Sequence, residues 1–265
     1  MALNHTHQAY PNYVLAQEIE DQYNSKLDLM RFCTVDNSLV GVAGDTKKIR
    51  VYRASNSTER LGLGEGNTQN IEVTYSDEEY TILLAQNRFP YYDEELMKDP
   101  MVVETGVKHM TTDMFNFVQA DIFAEFKKAT QSVTLSGTDY FGAFVDAVAM
   151  LPGENQEDLE VFAFVHPSDK AAIRKALKDD LKYVEAYVRA GYIGTVAGVN
   201  LYTKQDAVEG EIYGGTREAV TFFNKKGTEV EQERDANIRL NEIYSRKYYL
   251  AALTDETKAF KIVKA

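Results

Sequence analysis

The chain has 265 residues, 44% of them apolar and 26% charged, a composition that can bury a core and is not that of a disordered chain. Lys and Arg number 29 against 41 Asp and Glu, and the net charge of −12 argues against a nucleic-acid binder, whose affinity rests on surface cations meeting phosphates. The single cysteine, Cys33, excludes an intrachain disulfide and a cysteine-only metal site. No apolar run reaches the roughly 20 residues that a bilayer requires. Met1 to Tyr10 is polar without a signal-peptide pattern, so a soluble protein made inside the cell and not contacting a membrane is expected.

Leu15, Ile19, Tyr23, Leu27 and Met30 recur at helical spacing and predict a short amphipathic helix after an extended tail. Lys47 to Ala54 alternates as a strand, with Ile49 and Val51 on one face and Arg50 and Tyr52 on the other. Ser55 to Asn70 is rich in Gly, Ser, Asn and Thr, and strand character returns at Ile71–Tyr75 and Tyr80–Leu84. So long a loop is unusual inside a compact domain, and it predicts the tip of an arm ordered by a neighbour. Asp99 as N-cap with Pro100 at the first helical position opens a long helix. Its stripe runs through Val103, Val107, Met110, Met114 and Phe117, then Val118, Ile122 and Phe126, to end near Thr130. At 1.5 Å per residue that is about 45 Å, comparable with the diameter of a compact globule of this length. The helix therefore either lies along a flattened molecule or breaks, with Gly106 the candidate position.

From residue 138 the pattern is mixed. Phe141, Phe144, Val145 and Val148 mark a helix ended by Pro152-Gly153. Leu159–Val165 reads as a buried strand, followed by His166-Pro167 and a helix that Ser168 can cap. Val196–Thr203 reads as one strand, and Ala219–Phe223, Asn224–Gly227 and Thr228–Val230 as strand, turn and strand. Tyr248–Leu253 and Ala259–Val263, joined by Thr254–Thr257, predict a closing hairpin.

Catalytic constellations are not evident. Gly62, Gly64 and Gly66 lack the strand before and helix after that aim amides at a phosphate. His5 and His7 sit in the tail without a third ligand nearby, and His109 has Asp113 one turn on. His166 stands between a strand and a helix N-terminus, where active-site residues occur in α/β folds, although a structural cap is the simpler role. Cys33 has Arg31 as its near basic neighbour and gives little reason to expect a reactive thiolate. The acidic runs at Asp77–Glu79, Asp93–Glu95 and Glu229–Asp235 read as solvated faces. No catalytic residue, metal or cofactor is expected.

The order of these features resembles a tailed-bacteriophage major capsid protein with the Hong Kong 97-type capsid fold. The stretches carrying the resemblance are Val161-Phe-Ala-Phe-Val-His-Pro-Ser168, Gly191-Tyr-Ile-Gly-Thr-Val-Ala-Gly-Val199, Glu233-Arg-Asp235 and Arg246-Lys-Tyr-Tyr-Leu-Ala251. The resemblance implies an α+β fold. Residues 1–46 would be an N-terminal arm and the start of a peripheral domain, and 47–88 an extended loop overlapping the adjacent subunit. Residues 89–137 would hold the spine helix, 138–243 the axial domain, and 244–265 strands completing the peripheral domain.

The implied function is a self-assembling icosahedral shell of hexamers and pentamers around the double-stranded DNA of a tailed phage, formed in the host bacterial cytoplasm. A portal is an expected partner. Because the chain begins at Met1 with a short arm, a separate scaffold protein is expected too, and no Lys and Asn can be matched to the crosslinks of some relatives. Arg50, Arg53 and Arg60 are candidates to meet acidic patches on a neighbour at Asp77, Glu78 and Glu79 or Asp93, Glu94 and Glu95. The acidic balance suits a wall that encloses DNA without gripping it. The alternatives are an encapsulin-type nanocompartment and, in another class, an α/β enzyme using His166.

Overall fold

The computed structural model describes residues 28–42, 44, 46–55, 58–152, 160–178 and 194–264, and within them the side chains of 50–54, 76 and 78 are left aside. The expected tail helix through Leu15 to Leu27, with His5 and His7, lies outside these residues, as does the segment around Gly191. Met30 falls in a 3-10 turn, Leu29–Phe32, capped by Asp28.

Three sheets form. In the first, β1 (Thr34–Asp36) runs parallel to β10 (Val220–Asp235), which pairs with β11 (Leu240–Leu253), which pairs with β4 (Leu83–Tyr92). The second is the hairpin of β2 (Thr46–Ala54) and β3 (Val73–Thr81), in register from Thr46 opposite Thr81 to Ala54 opposite Val73. The third has β5 (Gln131–Leu135), β12 (Ala259–Lys264), β9 (Glu211–Thr216), β6 (Val161–Val165), β8 (Val199–Thr203) and β7 (Thr195–Val196) in that spatial order.

Four α-helices are described: α1 (Asp93–Lys98), α2 (Pro100–Lys127), α3 (Tyr140–Ala149) and α4 (Pro167–Ala176). The start of α2 follows the sequence, with the Asp99 carboxylate accepting from the Met101 amide at 3.0 Å. Gly106 does not break it. The 28 residues run uninterrupted for about 42 Å, because that glycine is where the helix meets the ring of Phe89. Burial begins at Met110 and continues through Met114, Val118, Ile122 and Phe126, a step of four, while Val107 and Phe117 of the predicted stripe are exposed.

β6 is buried along its whole length because both faces of its sheet are covered. Phe162 and Phe164 join Phe32, Phe123 and Phe126 in one core, whereas Val161, Ala163 and Val165 join Phe144, Ile173 and Ile262 in another. α2 thus packs its second half on the third sheet and also rests on β4 and β11 of the first. At Gly214 of β9 a Cβ would lie 2.5 Å from the Phe162 carbonyl oxygen, so only glycine allows that approach.

Several expectations are corrected. Asn224–Gly227 is not a turn: β10 passes through it as one strand of 16 residues, its extra length absorbed by register shifts between Asn224 and Lys226 and between Lys226 and Glu229. Val196–Thr203 is not one strand, since Ala197 and Gly198 adopt φ of 50° and 81° and turn β7 back on β8. The closing hairpin does not form: β12 leaves β11 and pairs with β5 and β9 in the other sheet. The cap of α4 is His166, not Ser168, its Nδ1 accepting from the Ser168 amide at 3.2 Å.

Candidate assembly surfaces

The β2–β3 hairpin pairs with no further strand among the described residues, although the Tyr80 hydroxyl donates to the Leu253 carbonyl of β11 at 3.4 Å. Its root is fixed instead by side chains. Ile49, Tyr80 and Ile82 pack against a small cluster of Leu39, Phe223, Leu250 and Ala252. The Lys47 ammonium lies 5.1 Å from the centre of the Phe223 ring and 3.2 Å from Ser38 Oγ. The Lys225 ammonium donates to the carbonyls of Val42 and Gly44, the latter at 2.9 Å. Gly41 and Gly44, at φ of 77° and 122°, bend the chain into the hairpin in a region that other residues rarely adopt.

Beyond the root, Leu61, Leu63, Ile71, Val73 and Tyr75 are all exposed. The tip holds its own shape: Glu59 accepts from the Thr68 amide at 3.0 Å and hydroxyl at 2.7 Å, and Glu65 from the Gly62 amide at 2.9 Å. The Thr68 amide is also the main reason the Glu59 carboxyl is held below its ordinary pKa. A preshaped tip that leaves five large apolar residues in solvent is what a docking element presents.

The candidate charged residues fall in different places. Arg50 stands opposite Asp77, Arg53 opposite Thr74 and Glu78 opposite Ile49 in the hairpin register, and Lys48 bridges to Glu79. Arg60 is exposed at the tip. Asp93 and Glu94 hold arginines of their own chain: Arg234 and Asn241 reach Asp93 at 2.8 and 2.7 Å, and Arg239 reaches Glu94 at 2.5 Å. Glu95 accepts from the Tyr92 amide at 2.9 Å and caps α1. The hydrogen bond from Arg234, then that from Asn241, keeps the Asp93 carboxyl below its ordinary value. The acidic first turn of α1 thus clasps the turn between β10 and β11, where Arg239 adopts φ of 56°.

Two residues were not legible in the sequence as anchors. Gln119, fully buried in α2, accepts from the Leu29 amide at 2.6 Å and donates to Asp28 at 3.1 Å. Arg217 donates to the Cys33 carbonyl at 3.1 Å. Together they pin residues 28–33 to the body. A lone glutamine between Val118 and Ala120 carries no pattern that marks it.

Other candidates are occupied by structure. The His166 ring lies 2.6 Å from Ser168 Oγ through the nitrogen that caps α4. Burial pushes the Cys33 thiol up to about 12. Among the described residues no group of His, Cys, Asp and Glu is placed to hold a metal, and no helix is long and apolar enough to cross a membrane.

No family model matches the chain. The capsid structure of cyanophage P-SCSP1u superposes with a TM-score of 0.69 at 14% identity, over 100% of this chain and 92% of that one. The capsid of a native GTA particle gives 0.66 at 17% identity, over 90% of each chain. These show the Hong Kong 97-type α+β fold. In sequence, the major capsid protein of Staphylococcus phage phiMR11 is 27% identical over 268 residues, spanning 95% of this chain and 92% of that protein. The chain is similar in sequence and in fold to the major capsid proteins of tailed phages. These likenesses support a structural role as a capsid shell protein and do not favour the nanocompartment reading.

Proposed function

We propose that this capsid protein encloses the double-stranded DNA of a tailed phage in a shell of hexamers and pentamers, built in the host cytoplasm with a separate scaffold and a portal. The observation that carries the reading is the β2–β3 hairpin, a two-stranded element with an apolar, preshaped tip and no strand partner among the described residues. It acts as the extended loop of residues 47–88, α2 as the spine helix, and strands β6 to β9 of the third sheet, within residues 138–243, as part of the axial domain. Many weak contacts of this kind add up to a closed shell through multivalency.

Arg50, Arg53 and Arg60 of the hairpin meet carboxylates of an adjacent copy in this reading. Asp77, Glu78 and Glu79 lie on the hairpin itself, while Asp93, Glu94 and Glu95 already serve their own chain. The test is the particle yield of Arg53→Glu and Arg60→Glu. Both variants should fold, by circular dichroism, yet give fewer sedimenting shells; normal yields from both would reject the contact.

A further inference from the structure

α2 runs alongside β4 and β11, and three contacts fix the register. Gly106 lies under Phe89, the Met110 carbonyl accepts from the Asn87 side-chain amide at 2.8 Å, and Ala85 joins Met114 in one core. Phe89, Asn87 and Ala85 stand opposite Ile243, Ser245 and Lys247 of β11, and Ser245 stands opposite Val230 of β10. Val230 therefore belongs to the face of the first sheet on which α2 lies, at the level of Met110. It is 67% exposed. On the helix, Val107 and Thr111 precede Val118 by about three turns and two turns, which puts all of them on one flank. Val118 shares its core with Leu29 and with Phe222 of β10, so that flank faces β10. Val107 is 40% exposed. A shallow groove floored by β11 thus runs between α2 and the outer part of β10, with a bare valine on each wall.

The described chain begins at the end of this groove. Asp28 accepts from the Gln119 side chain at 3.1 Å, and Gln119 accepts from the Leu29 amide at 2.6 Å. From Gln119 back to Val107, α2 covers about 18 Å. The stripe of Leu15, Ile19, Tyr23 and Leu27, which directly precedes Asp28, covers the same length if helical. Near its start the partly buried Lys247 ammonium lies 5.5 Å from the centre of the Phe222 ring, without an ion pair among the described residues. Burial lowers the pKa of Lys247, and Asp28 supplies the charge that opposes the shift. Asp21 stands about two helical turns before Asp28, on the same side of a helix.

We propose that residues 15–27 lie in this groove of their own chain, with the apolar stripe against Val107 and Val230 and Asp21 toward Lys247. The point of entry selects the occupant. A segment that continues from Asp28 reaches the groove without a linker, and its stripe is as long as the flank from Gln119 to Val107. The charge agrees: Glu18, Glu20 and Asp21 against Lys26 make the segment acidic, and Lys247 is the cation left to answer. The docked segment completes the cover on one face of the first sheet and is held by its own subunit instead of reaching along a neighbour. The contact goes beyond the shell reading, since it holds in a dispersed subunit as in an assembled one.

Hydrogen exchange of the full chain, read by mass spectrometry on peptides covering residues 15–27, tests the proposal. Those amides should exchange about tenfold or more slowly than in the isolated peptide; exchange at the isolated-peptide rate overturns it. Val230→Asp and, separately, Val107→Asp place a charge where the side chain is exposed among the described residues. α2 and β11 should therefore keep their protection while residues 15–27 lose theirs. Protection of 15–27 that survives both substitutions puts the segment elsewhere and overturns the groove. Mixing 15N-labelled wild-type chain with unlabelled Val230→Asp chain identifies whose segment fills it. Loss of protection confined to the unlabelled 15–27 peptides is expected. Loss in the labelled ones means that a neighbour's segment fills the groove, and overturns the proposal. None of these readings depends on whether shells form.

Discussion

Gly106 of α2 lies beneath the ring of Phe89 on β4, so close that a Cβ at 106 would stand 2.3 Å from Phe89 Cζ. Helix propensity alone favours alanine over glycine at such a position by about 1 kcal/mol. The contact reverses that preference. Gly106→Ala is expected to destabilise the subunit by about 1–3 kcal/mol as the ring is displaced. Trimming the ring in Gly106→Ala/Phe89→Leu should return part of the loss in urea denaturation. A Gly106→Ala chain more stable than wild type would contradict the contact.

Gln119 supplies the acceptor for the buried Leu29 amide. Gln119→Leu keeps the volume but strands that donor, and a buried unsatisfied group costs about 1–3 kcal/mol. Hydrogen exchange should show faster exchange at Leu29 than along α2. Unchanged protection at Leu29 would remove the anchor.

The Asp93 clasp carries a pH dependence of defined sign. Its folded pKa lies below the ordinary 3.8, chiefly through the hydrogen bond from Arg234. Its contribution is therefore fully present above that ordinary value and disappears as pH falls through the lower folded one. Asp93→Asn should have a lower urea midpoint than wild type at pH 7, and the gap should close in strong acid. A gap that is constant down to pH 2 would show that the charge plays no part.

Cys33 is fully buried, and its thiol is pushed up to about 12 by desolvation. A thiol reagent at pH 8 should react slowly with the native chain and stoichiometrically in denaturant, since the thiolate is the nucleophile. Fast labelling of the folded chain would place Cys33 at an accessible surface.

These relationships were unevenly legible in the sequence. Local signals gave local structure: Asp99-Pro100 marks the start of α2, and alternation over Lys47–Ala54 marks β2. Signals that depend on distant partners misled. Gly106 resembles a helix breaker until Phe89, seventeen positions earlier, is placed above it. Lys225-Lys226-Gly227 has turn chemistry, yet β11 pairs across it and turns it into bulges. Ala259–Val263 alternates as a strand, but nothing in the alternation says that it joins β5 and β9 rather than β11. β5 and α1 are too short to raise a periodic signal.

The site divided in the same way. The hairpin stood out from its long Gly-rich tip, and the arginines on it from their charge. That Asp93 and Glu94 face Arg234 and Arg239 follows from the β10–β11 turn folding back onto α1, which sequence spacing does not encode. The carboxylate row on β10 was visible as a run of acids, but its single-faced arrangement became clear once the register past the bulges was known.

Electron microscopy of the purified full chain, alone and co-expressed with the proposed scaffold protein, tests the central claim most directly. Closed shells of uniform diameter, or hexameric and pentameric rings, are predicted. A chain that remains a dispersed monomer under both conditions would contradict the account.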